Sequence, residues 1–288
     1  VTTQSNNLKK YNKMKNQVVL ITGASSGIGK ETARLLSQRG YKVYGAARRT
    51  DKMKELEQFG VKLLEMDVTD DESMTAGITS IIKNEGRIDV LVNNAGYGSY
   101  GALEDVPISE AKYQFEVNIF GLARLTQLVL PYMRQQHSGR IINISSIGGR
   151  IGEPHGAWYH ATKFAVEGLS DSLRMELKEF GIDVVVIQPG AIKTEWAGIA
   201  REKMLQTSGN TAYSSLTKKH ASMFEKADGK MGSDPVVIAR TIEKAVTTSK
   251  PKTRYAAGSG AKPILIARSI LSDRMFDNLM LGMINRLS

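Results

Sequence analysis

The chain has 288 residues, 41% hydrophobic and 24% charged, proportions that exclude a disordered or fibrous protein and allow one large domain or two small ones. With no cysteine, it has no disulfide framework, thiolate metal site or thiol nucleophile, and it suits a reducing, cytoplasmic compartment. The net charge of +10 would fit a polyanionic partner if it were spread through the body, but it is concentrated at the two ends.

The first sixteen residues carry Lys9, Lys10, Lys13 and Lys15 and no acid, and they lack the apolar core of a signal segment. Residues 16–249 hold 28 cations and 27 anions, so a basic groove for nucleic acid is not expected there. No apolar run approaches the roughly 18 residues of a spanning helix.

Gln17–Ile21 is predicted as a buried strand, and it leads into Thr22-Gly23-Ala24-Ser25-Ser26-Gly27-Ile28-Gly29 and a helix ending near Gly40. Strands follow at Tyr41–Ala46, Val61–Met66, Asp89–Val92, Arg140–Ile144 and Val184–Ile187, with a last one at Thr253–Ala257. Helices are predicted over Glu55–Phe59, Glu72–Lys83 and Ala111–Met133, the last split at Pro131, which lacks the donor N–H. A long helix runs from Gly156 to Phe180, and Asp234-Pro235 opens another to Thr247. Residues 191–232 break the alternation with polar sequence and scattered large side chains, the pattern of a lid.

Alternating strands and helices with right-handed crossovers predict an α/β fold, a doubly wound parallel sheet of Rossmann type with helices on both faces. We divide it into a basic lead (1–16), a single catalytic domain (17–258) with a helical lid (191–232), and a helical tail (259–288).

A strand entering a glycine-rich turn and a helix N-terminus is an anion site, because glycine lets the backbone approach a phosphate and the helix dipole favours its charge. Two other readings use the same residues. The turn could be a tight strand–helix connection without ligand, or Gly23-Ala24-Ser25-Ser26-Gly27 could be a hydrolase nucleophile elbow with Ser25 and a partner such as His220. The end of the second strand favours a dinucleotide. Ala47 stands where an acid would read a ribose hydroxyl, and Arg48 and Arg49 follow, which suits a 2′-phosphate and hence NADP(H) over NAD(H).

On the long helix, Tyr159 and Lys163 share one face, with bases about 6 Å apart. A phenol of ordinary pKa near 10 is a poor base, and a neighbouring ammonium is expected to lower that value. The pair suits proton transfer in a carbonyl/alcohol couple.

These residues together resemble the short-chain dehydrogenase/reductase family. Thr22–Gly29 is similar to its TGxxxGxG loop, Asn93-Asn94-Ala95-Gly96 to its NNAG segment, Tyr159-x3-Lys163 to YxxxK, and Pro189-Gly190-Ala191-Ile192-Lys193-Thr194 to PGxxxT. Ser146, 13 residues before Tyr159, and Asn118 complete the set. The resemblance implies that Tyr159 exchanges the proton, Lys163 holds the nicotinamide ribose and lowers the Tyr159 pKa, Ser146 binds the substrate oxygen, and Asn118 places a relay water. It further implies that Gly23, Ser25, Ser26, Gly27, Ile28 and Gly29 cradle the pyrophosphate, with Arg48 and Arg49 at the 2′-phosphate. Asp67 and Val68 would meet adenine, Asn94, Ala95 and Gly96 the ribose, and Pro189, Gly190, Ile192 and Thr194 the carboxamide. Ser26 stands where many NADP-preferring members have a basic residue, so the preference rests on Arg48.

Tyr97, Gly98, Ser99, Tyr100, the Ile147–Trp158 stretch and the 191–232 segment are expected at the substrate mouth. Their Met, Trp and Tyr residues suit a lipophilic substrate or, equally, the minor core of a capping helix pair. His155 and His160 are expected to be structural or substrate-contacting. The whole resembles the subgroup of 17β-hydroxysteroid dehydrogenase-like, retinol-type and acyl-dihydroxyacetone-phosphate reductases, which implies a lipophilic ketone, aldehyde or secondary alcohol and a homo-oligomer. The tail Lys262–Leu287 is basic and amphipathic. Packing over the substrate mouth or a neighbouring subunit is favoured there over a membrane surface. A nucleotide-binding regulatory protein without turnover is the alternative of a different class.

Overall fold

A computed structural model of the chain describes residues 17–226 and 231–287; the basic lead, four residues of the 191–232 segment and Ser288 lie outside it. Seven strands, β1 (Val18–Thr22), β2 (Lys42–Ala47), β3 (Lys62–Glu65), β4 (Val90–Asn93), β5 (Gly139–Ile144), β6 (Ile182–Pro189) and β7 (Arg254–Ala257), form one sheet. All pair in parallel, in the order β3-β2-β1-β4-β5-β6-β7. The chain runs outward from β1 to β3 and then returns to β4 beside β1. This reversal opens a crevice at the carboxyl ends of β1 and β4.

The apolar strands are explained by burial on both faces. Val19 and Ile21 pack with Leu36, Ile238 and Ile242 from helices α1 (Gly27–Gln38) and α8 (Pro235–Thr247). Val18 and Leu20, pointing the other way, pack with Ile78, Leu125 and Val129 from α2 (Asp71–Glu85) and α4 (Gly121–Gln135). Asp70 caps α2 by accepting hydrogen bonds from the Glu72 and Ser73 amides, and Asp234 caps α8 at Val236.

The predicted break at Pro131 is not where the helix deforms. Pro131 lies inside α4 near its C-terminal end, where losing one donor leaves the helix intact. The irregularity is a π turn at Glu116–Phe120, between α3 (Ile108–Phe115) and α4. Asn118 sits in this turn, and its amide bonds the main chain of Tyr97 and the Thr162 hydroxyl, an alternative to regular helical packing that the sequence pattern does not reveal. The long helix α5 (Ala157–Glu176) also ends earlier than predicted, passing through a 3₁₀ turn at Lys178–Phe180 to left-handed Gly181. The predicted Glu55–Phe59 helix is a 3₁₀ segment that begins at Thr50.

Residues 191–232 carry two helices, α6 (Glu195–Ser208) and α7 (Ser214–Lys226). Of the two expectations for their large side chains, the structure shows the small capping core. Met204, Ala200 and Phe224 form a small core with Tyr100 and Tyr159, while Trp196 and Met223 also face the crevice. The tail forms α9 (Ala261–Ile270) and α10 (Asp273–Leu287), which pack Phe276 and Met280 against Ile151. Among the described residues, no helix is long and apolar enough to cross a membrane, and no group of His, Asp or Glu is placed to hold a metal ion.

Candidate active site

A cavity of about 630 Å³ runs along the carboxyl ends of the strands. At one end lie the glycine turn after β1, the β2 terminus and the start of α1. Gly23 and Gly27 adopt left-handed conformations (φ 66° and 52°) that a side chain would strain. Gly29 does not line the cavity but supports it, since a Cβ there would stand 2.5 Å from Asn94 Nδ2 and closer still to the Gly23 carbonyl oxygen. Ser26, the N-cap of α1, makes no side-chain cap bond, so the first amides of the helix are left to an anion. The turn is held from below by Thr22, whose Oγ1 accepts the Asn94 and Ala95 amides at 3.1 and 3.0 Å, and by Asn94 Nδ2, which donates to Thr22 O at 2.9 Å. Sequence reasoning placed Thr22 in the glycine loop, outside the strand, and gave it no role.

Ser25, Ser26, Gly27, Ile28, Arg48, Arg49, Asp67, Val68, Asn94, Ala95, Gly96, Pro189, Gly190, Ile192 and Thr194 all line this cavity. The Arg48 side chain is 62% exposed; its Nη1 donates to the Tyr113 hydroxyl at 3.0 Å and lies 4.0 Å from Asp67. This contact with α3 carries no sequence signal. Asp67 also accepts from the Thr69 amide and hydroxyl, which fixes its carboxylate. A glycine cradle that a Cβ would fill and an uncapped helix start together fit the pyrophosphate of a dinucleotide.

In the middle of the cavity are Ser146, Tyr159 and Lys163. Strand β5 delivers Ser146, whose Oγ accepts the Gly148 amide at 3.0 Å. Tyr159 and Lys163 lie one turn apart on α5, both 7% exposed. Lys163 Nζ donates to Ile144 O at 2.9 Å and stands 5.8 Å from the Tyr159 ring centre. Burial depresses the Lys163 ammonium to about 8, with Glu167 pulling weakly the other way. The expected lowering of the Tyr159 pKa is not what this geometry produces. Burial drives the phenol well above its ordinary value, the Ser146 hydroxyl opposes the shift and Glu153 adds to it.

Asn118 does not line the cavity. Its Oδ1 accepts the Tyr97 amide at 2.8 Å, while its Nδ2 donates to Tyr97 O at 2.8 Å and Thr162 Oγ1 at 3.0 Å. Its amide is thus engaged in shaping the segment after β4. The elbow reading of Ser25 finds no partner, since His220 is buried against His155 and Glu153 and His160 Nδ1 faces Gly148 O.

The far end is apolar: Ile147, Ile151, Trp196, Ile199, Met223, Met231, Ile264, Met280 and Met283, drawn from the stretch after β5, the lid and the tail. Here the tail closes over the substrate mouth. Glu153 is a charged exception, and sequence reasoning missed it. Its only signal was one acid in the otherwise uncharged stretch between Arg150 and Tyr159. Tyr100 donates to Glu153 Oε1 at 3.0 Å, and His160 and His220 flank it.

The parallel sheet, with its glycine turn at the strand-order reversal and its cavity crossing a Ser–Tyr–Lys set, defines a dinucleotide-binding α/β protein of Rossmann type. The family described as short chain dehydrogenase matches residues 17–205, and this chain belongs to it. The 3-ketodihydrosphingosine reductase of Bacteroides thetaiotaomicron is 40% identical over 257 residues, spanning 89% of this chain and 93% of that protein. The NADPH-dependent 3-dehydrocapnine reductase of Ornithobacterium rhinotracheale is 33% identical over 90% and 94% of the two chains. Among solved structures, a short-chain dehydrogenase from Streptomyces avermitilis superposes with a TM-score of 0.77 at 33% identity, covering 94% of this chain and 98% of that one. The protein is thus an oxidoreductase of this family, which works with a nicotinamide cofactor on small molecules.

Proposed function

We propose that this protein is an NADPH-dependent reductase of a lipophilic ketone bearing an aliphatic chain, with Tyr159 as the proton donor. The observation that carries the reading is the position of a buried phenol between a glycine-and-arginine end and a methionine-rich apolar end of one cavity. The names of the two reductases above, both of keto compounds and one NADPH-dependent, support it.

In this reading NADPH supplies the hydride when bound. Arg48, with Arg49 beside it, pairs with the 2′-phosphate, and the amides at the start of α1 hold the pyrophosphate. Asp67 and Val68 take the adenine, Asn94, Ala95 and Gly96 back the ribose, and Pro189, Gly190, Ile192 and Thr194 orient the carboxamide. Lys163 holds the ribose hydroxyls. The Ser146 hydroxyl and the Tyr159 phenol converge on the substrate oxygen. Negative charge developing there is stabilised by two donors in a site shielded from water, and Tyr159 releases its proton to that oxygen. Asn118 acts at one remove, by fixing the Tyr97 backbone. The flexible methionine side chains of the far end accommodate an alkyl chain.

The reading is tested by NADPH oxidation over long-chain ketones. Wild type is expected to turn over, and Tyr159→Phe to lose at least about 10³-fold in kcat while binding NADPH as before. Binding without turnover, unaffected by Tyr159→Phe, would instead identify a cofactor-bound regulatory protein.

A further inference from the structure

Glu153 is a largely shielded carboxylate, its side chain 14% exposed, on the wall of a largely apolar chamber; burial raises its pKa, but His160 and His220 lower it further, so the ionised form is held. Its partners are few. Tyr100 donates one hydrogen bond, to Oε1, at 3.0 Å. His160 Nε2 and His220 Nε2 stand 3.7 and 3.8 Å from Oε1 and Oε2, beyond hydrogen-bond distance, and neither nitrogen has another partner. The other nitrogens of these rings are engaged with Gly148 O and with His155 Nδ1. Among the described residues, no lysine or arginine pairs with Glu153. An ionised carboxylate offers about four lone-pair sites, so most of its accepting capacity remains open.

The surroundings have a matching bias. Tyr100 packs at 5.5 Å from Tyr159, 5.8 Å from Trp196 and 5.2 Å from Phe224, and all four rings line the cavity. Aromatic faces attract cations electrostatically, most strongly where water is excluded. Arg48 and Arg49 line the cavity at the cofactor end and Lys163 lies below Tyr159, while His160, whose ring lies beside Glu153 in the lining, has its pKa lowered by burial but raised further by Glu153. Glu195 adds a second negative charge to the lining. The chamber beyond Tyr159 is therefore aromatic and carries a carboxylate, joined to the Tyr159 ring through Tyr100, which packs on one and donates to the other.

We propose that Glu153, framed by Tyr100, Tyr159, Trp196 and Phe224, is the subsite for a protonated primary amine that the ketone substrate carries within a few carbons of its carbonyl. This rests on the ketone-reductase reading and narrows it to amino ketones. The amine pairs with the carboxylate, the carbonyl oxygen meets Tyr159 and Ser146, and the alkyl chain leaves along Met223, Met280 and Met283.

The experiment compares kcat/KM of the NADPH-loaded enzyme for 3-ketodihydrosphingosine and for its N-acetylated form, in which the charge is removed. Wild type is expected to prefer the free amine by roughly 10- to 100-fold, the value of one charge-assisted contact. In Glu153→Gln that ratio should collapse toward one. Equal use of both compounds by wild type, or a preference that survives Glu153→Gln, overturns the assignment. If Glu153→Gln does not fold, the wild-type comparison decides alone. Absence of turnover with either ketone counts against the reductase reading only. Thermal stabilisation of the NADPH-loaded protein by hexylamine against hexan-1-ol then decides the subsite: a larger effect of the amine supports it, and equal effects overturn it.

Discussion

Gly29→Ala adds one methyl group at the place where the cofactor cradle is tightest. The new Cβ would lie 2.5 Å from Asn94 Nδ2 and 2.8 Å from the Gly23 carbonyl carbon, about 1 Å inside the optimum separation. One of these neighbours is backbone, so relief must come from the Asn94 side chain or from the turn itself. Asn94 Nδ2 donates to Thr22 O and Gly23 O at 2.9 and 3.2 Å, and moving it forfeits about 1 kcal/mol for each bond. Overpacking adds about 1–3 kcal/mol, and the better helix propensity of alanine returns about 1 kcal/mol. The net expectation is a loss of about 2–4 kcal/mol, read as a fall in Tm of about 3–7 °C and a weaker Kd for NADPH. Gly168→Ala is the control. Gly168 lies exposed inside α5 with nothing within 4 Å of a built Cβ, so the same exchange should stabilise by about 0.5–1 kcal/mol. A Gly29→Ala protein with unchanged Tm and unchanged NADPH affinity would refute the reasoning, and so would equal effects at the two sites.

Arg48→Ala should raise KM for NADPH about tenfold or more and leave KM for NADH nearly unchanged; equal discrimination in both proteins would remove Arg48 from the 2′-phosphate. The Lys163 ammonium, depressed to about 8 by burial, loses its charge above that pH, so kcat/KM for NADPH should decline there, whereas Lys163→Arg should show no such limb; a wild-type profile flat to about pH 9.5 would contradict the assignment. His155 is lowered to about 4 by burial first and by His220 second. Between about pH 6.5 and 4.5 the unfolded chain binds the proton that the folded one refuses, so Tm should fall with pH in that window and His155→Asn should flatten the slope. A slope identical in the two proteins would locate the acid sensitivity elsewhere.

Much of the site was legible in the chain because its parts are local. A strand, a glycine turn and a helix start are contiguous from Val18 to Gln38, and each follows from burial, left-handed backbone and an uncapped N-terminus within a few residues. Tyr159 and Lys163 were legible for the same reason, since helical spacing alone puts them on one face. The doubly wound parallel sheet was legible through handedness and alternation, whereas its strand order came from the structure. The misplaced helix break shows where this local reasoning stops. Pro131 looked disruptive in isolation, but the π turn at Asn118 answers to Tyr97 and Thr162, residues 21 and 44 positions away.

The amino-acid sequence by itself determined a doubly wound parallel sheet, a glycine cradle, and a Ser146, Tyr159 and Lys163 set strung along one edge. Tertiary structure alone decided the electrostatics. It buried Tyr159 and so raised its pKa, when the neighbouring lysine had suggested the reverse. It also gathered Glu153, His160 and His220 from a loop, α5 and α7 into one cluster behind the cavity wall. The physical reason is common to both. Spacing along the chain fixes which groups can be neighbours within an element, whereas desolvation and charge depend on everything packed around them, and that packing is assembled from residues far apart in sequence.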